Sequence, residues 1–161
     1  MVVGLLRRWI RTESKGIRLD TSQPFWELEG KTDFPHLLRA LGDLLPQGSL
    51  LYFEGSSPTR ALRRFLNAHR MPEHTQVAVG ILWPRPTRYH VAATGENLNE
   101  LVRLTESCRT SELAIHFHVY HHGQVLLEWH DAFWEPLLVS GALQASRVNA
   151  FAQILGMSVK R

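Results

Sequence analysis

The residues with the most pointed chemistry in this chain are His116, His118, Glu128 and His130, which lie within one short stretch. A His-x-His pair on a strand puts two imidazoles on the same side of the backbone. A glutamate and a further histidine across from them would complete a ligand set suited to zinc or another borderline divalent ion. An open coordination position would then activate water for hydrolysis, with Glu128 as ligand or base. The competing reading needs no metal. A sheet surface that faces solvent carries polar residues in any case, and histidine opposite glutamate is already a good cross-strand pair. A third reading makes the same face a pH-sensitive interface, because unperturbed histidines gain charge between pH 5 and 7.

These residues are positioned by Glu112 to Asp131, whose alternation reads as a β-hairpin. Ile115, Phe117 and Val119 fall on one face, with Ala114, His116, His118 and Tyr120 on the other. After the turn, Val125, Leu127 and Trp129 alternate with Leu126, Glu128 and His130. A three-residue loop, His121-His122-Gly123, pairs Val119 with Val125, Phe117 with Leu127 and His116 with Glu128. An even-length loop would instead set apolar residues against polar ones on both faces. Should the apolar face meet helices, the histidine face is open, edged by Tyr120 and by Trp134.

A second candidate lies at Gly55-Ser56-Ser57-Pro58, between a short strand (50–54) and a helix. Ser57 is expected as the helix cap with Pro58 in the first position. Free backbone N–H groups there, with Ser56, Ser57, Arg60 and Arg64, would hold a phosphate or carboxylate. Arg60, Arg63, Arg64 and Arg70 occupy the solvent side of that helix, and Ala61, Leu62, Phe65 and Leu66 its buried side. Capping alone accounts for the serines and the proline, and the lysine and glycine spacing of a P-loop is missing.

Elsewhere the apolar spacing predicts a strand at 25–29 and a helix capped by Asp33 with Phe34, Leu37, Leu38, Leu41 and Leu44 on its stripe. It also predicts a strand at 77–83 with a return at 88–93, a helix opened by Thr94 or Asn97, and a last helix stopped by Gly156. Residues 2–11 fit either a basic amphipathic helix or a strand. Cys108 sits near a helix C-terminus, the wrong pole for a thiolate, and reads as a packing residue. Together these give an α+β fold: a two-layer sandwich whose mixed or mainly antiparallel sheet of about six strands has helices on one face. Residues 1–161 are expected to form a single domain, with 1–23 as a peripheral N-terminal element.

At 161 residues with 44% hydrophobic and 20% charged positions, the chain is long enough for one core without disulfides, and its single cysteine demands no oxidising compartment. No apolar run is long enough to span a bilayer, and the arginines after residue 6 are placed against a secretory signal, so a cytoplasmic setting is expected. The net charge of +3 is mild and lacks the dense basic patch of a nucleic-acid binder. The leading expectation is a small soluble binding or regulatory domain that acts by protein-protein contact or self-association through an open sheet face, with no cofactor required. The alternatives are a zinc-type hydrolase on His116, His118, Glu128 and His130, and an anion or nucleic-acid binder on the 57–70 basic helix.

Overall fold

Strict alternation over several segments builds a sheet with two unlike sides, and four stretches of 3.6-residue periodicity supply the helices that cover one of them. The computed structural model describes residues 16–73, 76–77, 86–132 and 135–160. The 2–11 segment, the 78–83 part of the expected strand, and Trp134 lie outside them. The strands are β1 (Phe25–Glu29), β2 (Leu50–Glu54), β3 (Arg88–Ala92), β4 (His116–His121), β5 (Gln124–Trp129), β6 (Leu137–Ser140) and β7 (Ser158–Lys160). The helices are α1 (Phe34–Leu44), α2 (Arg60–Ala68), α3 (Gly95–Thr105), the single turn α4 (Thr110–Leu113) and α5 (Ala145–Leu155).

The strands form one antiparallel sheet in the order β3-β2-β4-β5-β6-β1-β7. The expected α+β sandwich is therefore present, with seven strands among the described residues. The β4–β5 hairpin occupies the middle of the sheet. β3 pairs with β2, which in turn pairs with β4, so the segment 88–92 returns against 50–54.

Helix boundaries follow local chemistry. The Asp33 carboxylate accepts the His36 N–H at 2.9 Å and opens α1, with Pro35 in its first turn. The Thr94 hydroxyl accepts the Asn97 N–H at 3.1 Å and opens α3. Gly156, in the left-handed region at φ 65°, ends α5. α2 departs from expectation: its cap is Thr59, whose hydroxyl accepts the Leu62 N–H at 3.4 Å, and not Ser57. The helix begins at Arg60, so Ser57 and Pro58 both precede it and Pro58 is not its first residue.

The helix-side core joins Phe34, Leu37, Leu38 and Leu41 of α1, Leu62 and Leu66 of α2, Leu98 and Leu101 of α3, and Val148 and Phe151 of α5. From the sheet it takes Leu28, Leu51, Phe53, Val91, Phe117, Val119, Leu127, Trp129 and Val139. A second, smaller cluster lies on the other side, where Leu19, Tyr52, Val77, Tyr120, Val125 and Leu138 pack together. No helix among the described residues is long and apolar enough to cross a membrane.

Candidate functional site

The histidines stand on the sheet side away from the helices, as the alternation requires, but the hairpin reaches that arrangement by another route. Its turn has two residues, His122 at φ 46° and Gly123 at φ 76°, both in the left-handed region that a type I′ turn demands. Such an even loop on its own would set apolar residues against polar ones. A bulge restores the phase: Tyr120 pairs with Val125, whereas Val119 pairs with Leu127, leaving Leu126 as the extra residue. Leu126 and Leu127 both enter the helix-side core, and Val125 turns to the far face beside Tyr120.

Below the bulge the register is two residues from the expected one. Phe117 faces Trp129 and His118 faces Glu128. A shift of two preserves the faces, because side chains alternate with period two. It changes every partner. His116 now stacks on His130, with ring centroids 4.0 Å apart and planes at 13°. Its Nδ1 accepts the Asp131 N–H at 2.8 Å, which places the ring proton on Nε2 and makes His116 a clamp on the turn that follows β5.

Neighbouring strands extend this polar row. His90 on β3, Tyr52 on β2, His118 on β4 and Glu128 on β5 are successive cross-strand partners, and the row continues through Leu138 on β6 to Glu27 on β1 and Lys160 on β7. Glu54 lies between Arg88 and His116 in the next row. The Tyr52 hydroxyl donates to the Glu54 carboxylate at 2.6 Å and so links the two rows. His90 Nδ1 and the Tyr120 hydroxyl share a hydrogen bond of 2.8 Å, and His118 Nε2 lies 3.8 Å from Glu128.

The expected open face is not open here. His116, His118 and Glu128 are 5%, 3% and 6% exposed, and Glu54 and His90 are equally buried. Part of the cover comes from an extended segment ahead of β1. Leu19 packs into the second cluster and its N–H donates to the Glu128 carboxylate at 3.0 Å, while Ile17 pairs in parallel with Val77. This cover was invisible in the sequence because it comes from residues about a hundred positions away.

Burial sets the electrostatics. It holds the His90 imidazole below its ordinary pKa; nearby Glu73 opposes this, and the Arg88 and Arg70 charges add to it. Burial, reinforced by the Glu54 carboxylate, raises the Tyr52 phenol far above its usual range. Burial and Glu73 push the Tyr120 phenol up to about 12. The layer therefore keeps an imidazole and two phenols neutral at physiological pH and uses them as hydrogen-bonding groups.

The four proposed metal ligands are not brought to one point. His118 and Glu128 face each other, whereas His116 and His130 form a separate stack, and among the described residues no three His, Cys, Asp or Glu side chains are placed to hold a metal ion. At the anion candidate the side chains are engaged locally or exposed. The Ser56 hydroxyl donates to the Leu113 carbonyl, Ser57 is exposed, and Arg60, Arg63 and Arg64 stand in solvent. Arg70 lies over the Tyr89 ring, 5.6 Å from its centroid. Cys108 is half-buried against the core, its thiol donating to the Leu104 carbonyl at 3.1 Å and raised in pKa by burial. That fits packing.

Tyr52 and Glu54 are the members of the layer that motif reading passed over. Their signal was present in Leu50–Glu54, where Leu51 and Phe53 alternate with Tyr52 and Glu54, but only strand order puts that polar face beside the histidines. Two clefts lie apart from it: one of about 420 Å³ lined by Glu29, Lys31, Trp129 and Glu135, and one of about 580 Å³ lined by Phe65, His69, Glu96, Glu100 and Arg103.

The fold and this layer together define an α+β protein with a seven-stranded antiparallel sheet, helices on one side and buried polar chemistry on the other. No family model, curated protein or solved structure matches the chain.

Proposed function

We propose that the protein is a small binding or regulatory domain that acts by protein-protein contact through the far face of its sheet. The observation that supports this is how that face divides. Toward β3, β2, β4 and β5 its reactive groups are buried and engaged within the fold. Toward β1 and β7 it remains accessible: Phe25, Glu27 and Glu29 are half-buried and Ser158 and Lys160 exposed, with Lys160 paired to Glu29 at 2.6 Å. An aromatic group within a rim of charges is the composition of a transient interface.

The test places a photo-crosslinking residue at Glu27 and compares the products with and without Phe25→Asp, alongside sedimentation velocity across the micromolar range. A discrete crosslinked partner or dimer that disappears with Phe25→Asp and persists in chelator is expected. A monomer whose crosslinks are the same in both forms would overturn the reading.

A further inference from the structure

The charge of α2 lies on one stripe and has one sign. Helical spacing puts Arg60, Arg63, Arg64 and Asn67 on a common face, with Leu62, Phe65 and Leu66 buried on the other. All four are exposed. Among the described residues none of the three arginines pairs with a carboxylate, and Arg63 reaches only the Pro58 carbonyl, at 3.5 Å. Elsewhere Arg39 holds Glu106, Arg103 holds Glu100 at 2.9 Å and Lys160 holds Glu29. The α3 carboxylates Glu96 and Glu100 line the cleft beside Phe65 and His69, on the Phe65 flank of α2 and not on the stripe.

Helix stability alone would arrange these charges differently. α3 has Glu96 in its first turn and Arg103 in its last, as the helix dipole favours. α2 has no acidic residue in its first turn, where Arg60 stands. It also repeats positive charge at i+3 and i+4, the spacing at which like charges weaken a helix. The stripe therefore lowers the stability of α2 and recovers none of it within the fold. An anionic surface laid over it would remove that repulsion.

We propose that this stripe is a second contact surface, on the helix layer opposite the far face of the sheet, and that it takes an acidic segment of a partner protein. From Arg60 to Asn67 it runs about 10 Å along the helix axis, so carboxylates recurring at one-turn spacing meet it guanidinium by guanidinium. Each planar fork binds a carboxylate in bidentate form. A nucleic-acid backbone is the poorer fit. Three cations on so short a stripe neutralise few phosphates, and the exposed neighbours Ala61 and Ala68 offer no ring for base stacking.

The experiment titrates the full chain against a labelled helix-forming peptide of alanine and glutamine with glutamates at i, i+3, i+4 and i+7, read by anisotropy at low salt. Arg60→Gln, Arg63→Gln and Arg64→Gln combined should weaken binding by about tenfold or more. The fold should persist, because the positions are exposed and glutamine is a good helix former. Lys31→Gln, Arg109→Gln and Arg147→Gln combined remove the same charge from exposed positions off α2 and should change affinity by less than about threefold. Arg60→Glu, Arg63→Glu and Arg64→Glu together should lose the glutamate peptide and bind its lysine counterpart. Equal losses in the two glutamine variants would mean attraction to the overall charge of the protein and would overturn the proposal. Absence of peptide binding by the wild type overturns it as well. So does a short DNA duplex that binds the wild type more tightly than the peptide at the same salt, which would assign the stripe to nucleic acid.

Discussion

On the helix side of the sheet Phe117 meets Phe34 edge-on at 5.6 Å and Phe53 at 5.3 Å, while one residue along the same strand His118 meets Tyr52 at 5.5 Å and faces Glu128. Both residues are buried, yet they are held differently. Apolar burial is non-directional, so the helix side tolerates a bulge that sends Leu126 and Leu127 into the same core. The far side buries groups that need specific partners, and each must be supplied from another strand or from the 16–20 segment. The first side carries the stability and the second fixes the register, since a slip of one residue would bury imidazoles among leucines.

This contrast is open to test by substitution, and the largest effect is expected on the helix side. Phe117→Ala removes a fully buried ring and should cost about 3–5 kcal/mol in urea unfolding. A loss below about 1 kcal/mol would mean that the core is looser than its packing indicates.

On the far side the expected cost is smaller and shows non-additivity. Tyr52→Phe deprives the fully buried Glu54 of a 2.6 Å donor and should cost about 1–3 kcal/mol. Replacing both partners, Tyr52→Phe with Glu54→Leu, should be less damaging than the two single changes added together. Simple additivity would show that the pair does not act as a unit.

Between pH 7 and 5, acid should act on the far side through His90. The folded His90 pKa lies below its ordinary value, so at pH above about 6.5 neither state is charged there and the group has no effect. As pH falls below that point the unfolded chain takes up the proton first, and stability declines until the folded pKa is reached. Thermal unfolding between pH 7 and 5 should therefore show a falling midpoint, flattened by His90→Gln, whereas Phe117→Ala should leave the slope unchanged.

The smallest effect is expected at the turn that joins β4 and β5. His122 adopts a left-handed φ of 46° where asparagine is at home, so His122→Asn should stabilise the protein by about 0.5 kcal/mol without altering the register.

Much of the architecture was legible in the local pattern. The α1 stripe from Phe34 to Leu44, the Asp33 and Thr94 caps and the Gly156 stop are properties of neighbouring residues, and so is the assignment of His116, His118 and Glu128 to the face away from the helices. The loop length was not legible, because a two-residue turn with a bulge and a three-residue turn without one preserve the same alternation. Neither was the α2 start, where Thr59 and Ser57 are both competent caps and the local pattern does not choose between them.

What the sequence by itself determined is which side chains share a face, since the two-residue period of a strand and the 3.6-residue period of a helix are local facts. Only the tertiary structure decided what those faces meet. β2 brings Tyr52 and Glu54 between His90 and His118, and Leu19 lies over Glu128 from a position 109 residues away. Pairings of that range depend on how the whole apolar surface is buried at once, and no stretch of the chain carries that information alone.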